Sequence, residues 1–366
     1  AGVDVFLGTA KYVDAHTICV NDKTLRCRRS VIATGAHAAL PPVPGLREAK
    51  PLTNETVFNL NAPPQRLIIL GAGPIGCELA QAFARLGSQV TLIERETRIL
   101  PAAHPDASDL LAAALQRDGV ELKLGASVRA VARTADHVRV EIEDAAIDAD
   151  EILVAAGRVA NTGGLNLAAA GVEVSERGLV AVDAKLRTTH PHIFAAGDVC
   201  STLQFTHVAD AHARIVVQNA LFLPTATTRK LIVPHCTYTS PEVAQIGPLA
   251  STLAAQGTAH ETHTIRFAET DRGRTQGDDV GFAEIVTAAD GNSILGATIF
   301  GCDAGEQIAS VCLAMTQGIG LGSLASTILP YPTRAEFLRR LADRTNRRRL
   351  TPTVRTLMRG WFKWTS

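Results

Sequence analysis

No apolar run in these 366 residues approaches the roughly 20 residues that a membrane-spanning helix requires. No secretory signal pattern is visible either, and the first residue is Ala1 rather than Met. None of the seven cysteines (Cys19, Cys27, Cys77, Cys200, Cys236, Cys302, Cys312) stands in a Cys-x-x-Cys or in a zinc-like pair of pairs. An odd, dispersed set argues against a disulfide framework and fits reduced thiols in a cytosol. The eleven histidines are also dispersed, and His190-x-His192 has no carboxylate or thiolate companion, so no metal site is expected. Internal repeats and low-complexity segments are lacking. With 46% hydrophobic and 20% charged residues, the composition excludes a disordered or collagen-like chain. The length gives room for two or three domains, each with its own core.

The most informative stretch present is Leu67 to Glu94, LIILGAGPIGCELAQAFARLGSQVTLIE. A β-like run, Leu67–Leu70, enters Gly71-x-Gly73-x-x-Gly76. A helical pattern follows to about Leu86, Gly87 closes it, and a second β-rich run ends in Glu94. Strand, glycine turn, helix, strand and terminal acid together make the full context of a dinucleotide-binding turn. Gly71 serves the tight turn, Gly73 the close approach of a pyrophosphate, and Gly76 the packing of helix on sheet. The backbone from Gly71 through Pro74 and Ile75 to Gly76 would cradle phosphates at the helix start. Glu94 is placed to accept hydrogen bonds from a ribose diol and would repel a phosphate there. NAD is therefore favoured, and Arg95 next door keeps NADP open.

Elsewhere the pattern is mixed. Val31-Ile-Ala-Thr-Gly35 reads as a strand running into a glycine, and Ala62-Pro-Pro64 as a linker. Asp106 to Gly119 reads as a helix with an acidic start and a glycine stop. Strand patterns occur at 138–142, 152–154, 243–246, 282–286 and 294–299, and helical patterns at 208–222, 304–316 and 334–342. Cys77 reads as a small core residue on the glycine-turn helix. The expectation is α/β in the middle of the chain and α+β at its end.

Six motifs occur in a fixed order: VIATG, GAGPIG with Glu94, VAAGR ending at Arg158, IFAAGD ending at Asp198, HCTYTSPEVAQIG from His235, and PYPTRAE from Pro330 to Glu336. Their order resembles the class I pyridine nucleotide-disulfide oxidoreductases, with the flavour of the mercuric-reductase-like and dihydrolipoamide-dehydrogenase-like branches. The resemblance covers essentially the whole chain. It implies doubly wound, Rossmann-like FAD- and NAD(P)-binding domains with a C-terminal α+β dimerisation domain. The implied division is a second part of the FAD domain at 1–64, an NAD(P) domain at 65–157, a central FAD segment at 158–228, a dimerisation domain at 229–345 and a basic tail at 346–366. It implies a homodimeric, cytoplasmic enzyme in which hydride passes from NAD(P)H to FAD and on to a disulfide, a metal ion or a small molecule. By motif, Thr34 and Gly35 would lie by the FAD backbone and Gly157 by the nicotinamide side of the NAD. Asp198 would accept from the ribityl hydroxyls, and Thr206 would open a helix aimed at the flavin pyrimidine.

The resemblance also has gaps. The family's opening GxGxxG and its Cys-x-x-x-x-Cys do not occur in this sequence, so a longer protein of which this is a part is expected. A genuine truncation is the alternative. Glu78 would pair with a lysine beside the missing disulfide, and without one a buried carboxylate is costly. Tyr331 stands where many relatives carry an acid/base histidine. The acid/base candidates are Glu336 and, less strongly, Tyr331, since an unperturbed tyrosine has a pKa of about 10. Without the cysteine pair, two other readings stay open: a non-catalytic dimeric NAD-binding scaffold, and a flavin transhydrogenase that needs no disulfide.

Net charge is zero, but Arg339 onward carries nine basic residues and one acid, Asp343. Thr351-Pro352 reads as a helix start. Leu350, Val354, Leu357, Met358 and Trp361 form one helical face, with Trp364 beside it, and Arg355, Arg359 and Lys363 lie opposite. Residues 350–364 would suit weak contact with a membrane surface. The same stripe would bury as well on the dimerisation domain or on the other subunit, and a helix this short favours that. A basic run without a reading motif gives no reason to expect nucleic acid.

Overall fold

Leu67, Ile68, Ile69 and Leu70 are all buried, because the strand they form, Arg66–Leu70, is covered on both faces. It lies second in a parallel sheet ordered Glu151–Val154, Arg66–Leu70, Gln89–Glu94, Glu121–Leu124. Side chains alternate across it. Leu67 and Ile69 join Cys77, Ala80, Leu111 and Leu115 of the helices Pro74–Arg85 and Pro105–Arg117. Ile68 and Leu70 meet Val131, Val138 and Val140 of an antiparallel sheet, Val128–Arg133, Val138–Ile142 and Ala145–Ala149.

The computed structural model describes residues 2–143, 145–348 and 351–365 and divides into two units, Ala1–Ala39 with Ala156–Leu231 and Leu40–Ala155 with Ile232–Ser366. In the second unit the parallel sheet shares its core with a five-stranded antiparallel sheet. That sheet is ordered Pro234–Thr237, Glu242–Ile246, Ile294–Gly301, Phe282–Ala288, His260–Arg266. Its alternation also separates two faces. Val243, Phe282 and Phe300 pack into the core under the parallel sheet. Ala244, Ala283 and Ile299 pack under the helices Ala304–Thr316 and Glu336–Arg348 through Ile308, Val311, Phe337 and Leu341. The α+β end of the chain is therefore a two-faced sheet with helices on one side.

In the first unit Ser30–Ile32 runs parallel to Ile193–Ala195, and Ala36–Ala38 pairs antiparallel with Arg158–Ala160. The helix Thr206–Leu221 packs Ile215, Val216 and Ala220 onto Phe194 and Leu186. A small antiparallel sheet, Ala10–Asp14, Thr17–Val20 and Lys23–Arg26, precedes these elements.

The tail helix, Pro352–Thr365, starts as its sequence indicates, with Thr351 Oγ1 accepting the Val354 N–H at 3.3 Å. Docking of its stripe on the dimerisation domain of its own chain is not found: no residue of the helix is buried. Leu350, the first residue of the expected stripe, lies outside the described residues.

Candidate functional site

The glycine turn is built on backbone constraints. Gly71 sits at φ +100°, which favours glycine, and its N–H bonds the Ile93 carbonyl at 2.8 Å. A Cβ at Gly76 would fall 1.8 Å from the Gly71 carbonyl oxygen, so helix and turn meet there at backbone contact. Gly73 differs: its φ is −72° and a Cβ would point into open space. No side chain caps the helix that follows, and Pro74 is its first residue. The N–H groups of Ile75 and Gly76 thus face outward without helical partners, beside a clear approach at Gly73. Glu94 closes the site: Oε2 accepts the Ala72 N–H at 2.7 Å and Oε1 the Glu96 N–H at 3.0 Å. Its carboxylate is fixed at the rim of the turn with lone pairs to spare for hydroxyl donors. Arg95 is exposed and pairs with Glu96 at 3.3 Å, not with Glu94. These residues fit an adenine dinucleotide. A cavity of about 350 Å³ lined by Arg66, Ser88, Gln89 and Asp118 lies at the opposite, amino ends of the strands and is a separate feature.

In the other unit, Asp198 follows Gly197, whose φ is +77° and whose N–H bonds His212 Nδ1 at 3.3 Å. Burial holds His212 below the ordinary imidazole range, which suits a neutral ring accepting at Nδ1. Asp198 Oδ2 lies 3.2 Å from Arg158 Nη2, which also donates to the Ala36 carbonyl at 2.8 Å. Arg158 Nε is buried without a partner. Thr34 Oγ1 donates to the Asn161 carbonyl at 2.7 Å, and the Asn161 N–H returns to the Gly35 carbonyl at 2.9 Å. Gly157, at φ +117°, accepts the Ala39 N–H at 2.9 Å. Thr206 is the first residue of its helix, whose N-terminus has no side-chain cap. A helix start at Thr206 without a side-chain cap, an acid at Asp198 and an orphaned guanidinium nitrogen at Arg158 form a polar set that fits a hydroxylated, electron-accepting ligand such as the flavin moiety. Sequence reasoning gave no role to Arg158, Asn161 or His212. Of these, only Arg158 lay inside a recognised motif.

The C-terminal candidates are joined through two other residues. Tyr331 Oη donates to Asp271 Oδ2 at 3.0 Å, Arg340 Nη2 lies 3.5 Å from the same oxygen, and Arg340 Nε donates to Glu336 Oε1 at 2.6 Å. The other oxygen, Glu336 Oε2, is buried without a partner. Tyr331 is 74% exposed, and its hydrogen bond to Asp271 holds the phenol above its ordinary range. The next motif residue but two, Arg334, is ion-paired with Asp278 and with Asp303.

One expectation needs adjustment. Glu78 is not left without a partner, because its Oε1 accepts the Tyr238 N–H at 2.8 Å; burial still raises its pKa. All seven cysteines are free, and burial pushes the thiols of Cys200 and Cys236 up to about 12, with Cys77 higher still. The fold brings His16 beside His190 and His192, ring centroids 5.8 and 5.6 Å away. Among the described residues, however, no group of three or more His, Cys, Asp or Glu is arranged to hold a metal ion.

Two family models match most of the chain. The family model described as pyridine nucleotide-disulphide oxidoreductase matches residues 1–213, and that of the family's dimerisation domain matches residues 233–342. A mercuric reductase of Bacillus cereus is 34% identical over 342 residues, which are 92% of this chain and 54% of that protein. A mercuric reductase of Streptomyces lividans is 34% identical over 351 residues, 93% of this chain and 74% of that protein. The solved structure of the HOCl-induced flavoprotein disulfide reductase RclA from Escherichia coli matches with a TM-score of 0.85 at 31% identity, covering 92% of this chain and 78% of that one. The chain spans 54–62% of the first three curated relatives it matches. It belongs to the pyridine nucleotide-disulphide oxidoreductase family, whose members are FAD-dependent and use NAD(P)H.

Proposed function

We propose that this chain serves an FAD-dependent NAD(P)H oxidoreductase activity that passes electrons to a disulfide, a metal ion or a small molecule. One observation carries the reading: an open approach at Gly73, free N–H groups at Ile75 and Gly76, and the fixed Glu94 carboxylate lie together around one turn. The N–H groups would hold the pyrophosphate and Glu94 the ribose diol, which supports NADH over NADPH. In the other unit Asp198 would accept from ribityl hydroxyls, Thr34, Gly35 and Gly157 would line the ligand backbones, and the Thr206 helix start would stabilise negative charge on the ring. When bound, FAD supplies the two-electron chemistry, accepting hydride from the nicotinamide. Glu336 and Tyr331 are the proton-handling candidates, with Tyr331 confined to donation by its raised pKa.

Residues 233–342 would make the protein a homodimer. Free cysteines and a nicotinamide reductant favour a cytoplasmic setting. The raised thiols of Cys77, Cys200 and Cys236 favour a second reading for this chain taken alone, hydride exchange between nicotinamides without a protein disulfide. Anaerobic addition of NADH to the FAD-reconstituted chain tests the proposal. Bleaching of the visible flavin band supports it, and an unchanged band in a sample that holds flavin overturns it. A second nicotinamide analogue regenerating the oxidised band would select the transhydrogenase form.

A further inference from the structure

We propose that the tail helix Pro352–Thr365 is an interfacial anchor that lays one face into an anionic lipid bilayer. The proposal is independent of the redox chemistry and rests on how this helix is composed and exposed. At about 100° per residue, Trp364, Leu357, Trp361, Val354, Met358 and Phe362 lie across an arc of about 160°, with the last residue, Thr365, as its one polar member. Arg355, Arg359 and Lys363 occupy the next sector of about 80°. The helix contains no acidic residue. Although the arc is apolar, Leu357 is 70% exposed, Trp361 60% and Trp364 79%. The rings of Trp361 and Trp364 lie 5.5 Å apart, and these are the only tryptophans of the chain.

Each feature meets a need that a lipid interface supplies. An indole carries a large apolar surface and one N–H donor, and the headgroup boundary solvates both ends. A cationic sector bordering the arc would reach lipid phosphates while the arc enters the acyl region. At 14 residues the helix is about 21 Å long, too short to span a bilayer and long enough to lie along one. No helix among the described residues is long and apolar enough to cross a membrane. A second copy of the helix is a poorer occupant, because pairing arc against arc would leave the cationic sector without the counter-charge that an anionic bilayer supplies. A single apolar face holds a membrane weakly, and the adjoining cations provide the second signal that firm binding needs.

Vesicle flotation with the full chain tests this, using phosphatidylcholine vesicles and phosphatidylcholine vesicles containing phosphatidylglycerol. The full chain should float with the second and not with the first. Trp361→Ser with Trp364→Ser, and separately Arg355→Gln with Arg359→Gln and Lys363→Gln, should each lower the bound fraction about tenfold or more. Thermal midpoints should stay unchanged, since the helix buries none of its residues. Failure of the wild-type chain to float overturns the proposal. So does flotation that survives the tryptophan changes, which would mark generic adhesion to polyanions. A tryptophan variant that turns dimer into monomer, with no lipid binding by the parent, would assign the arc to a contact between copies.

Discussion

Glu94 Oε2 accepts the Ala72 N–H at 2.7 Å, so the acid that closes one strand is bonded to the turn that follows its neighbour. The bond orients the carboxylate before any ligand arrives and satisfies a donor within the glycine turn. Replacing Glu94 with Ala should therefore cost stability and nucleotide selectivity together. Loss of a charge-accepting hydrogen bond is worth about 1.5–3 kcal/mol. NADH affinity, measured by calorimetric titration, should fall about tenfold, while NADPH affinity holds or rises. Equal retention of both affinities would remove Glu94 from the ribose site.

Gly73 and Gly76 should respond oppositely to the same methyl group. At Gly76 the added Cβ meets a backbone oxygen at 1.8 Å, and neither helix nor turn can yield cheaply. Gly76→Ala should lower the thermal midpoint sharply or prevent folding. Gly73→Ala has ordinary φ and empty space, so its midpoint should match the parent. Its methyl would stand where a pyrophosphate approaches, and NADH binding should drop by an order of magnitude. Differential scanning beside titration distinguishes the two. A Gly73→Ala protein that binds normally would place the phosphates elsewhere.

His104 is subject to two opposing demands. Its Nδ1 accepts the Asp106 N–H at 3.2 Å, capping the helix Pro105–Arg117, and its Nε2 lies 3.3 Å from Glu284 Oε1. The cap needs a bare Nδ1, whereas the hydrogen bond to Glu284 favours the imidazolium and outweighs burial, raising the pKa. A raised folded-state pKa stabilises the protein fully below the unfolded imidazole value of about 6.5, and the benefit disappears as pH rises through the folded value. Each pH unit between the two is worth about 1.4 kcal/mol. Asn is itself a good N-cap, so His104→Asn should keep the helix and lose this pH dependence. Thermal midpoints measured below and above that range should converge for the parent and the variant only on the alkaline side.

Arg340 and Glu336 should couple. Removing the guanidinium with Arg340→Ala strands a buried carboxylate. The cost should be roughly 2–3 kcal/mol, below the 3–5 of a fully buried pair, because the Arg340 side chain is 32% exposed. Changing both, Glu336→Gln with Arg340→Met, should recover part of the loss. A denaturant double-mutant cycle on the dimerisation domain measures this, and additive losses would mean the pair carries no coupling.

The nucleotide unit was legible because Leu67–Leu70 and its partner strands are apolar runs between glycine signals, and the glycines fix the turn locally. The strand His260–Arg266 was not picked out. It reads HETHTIR, and its buried residues include a histidine, His263, so polarity hid the alternation. The links from Asp198 to Arg158 and from Tyr331 through Asp271 to Arg340 join residues 40 and 60 positions apart or more, which no periodicity encodes. Thr351-Pro352 announced where the tail helix starts, but its sequence could not say whether its own chain would cover it.

The most direct test of the central claim is a calorimetric titration of NADH into the purified chain. The residues from Gly71 to Glu94 predict one saturable site per chain, with NADH bound more tightly than NADPH and lost in Gly73→Ala. No heat and no protection by NADH, from a sample shown to be folded, would contradict the account.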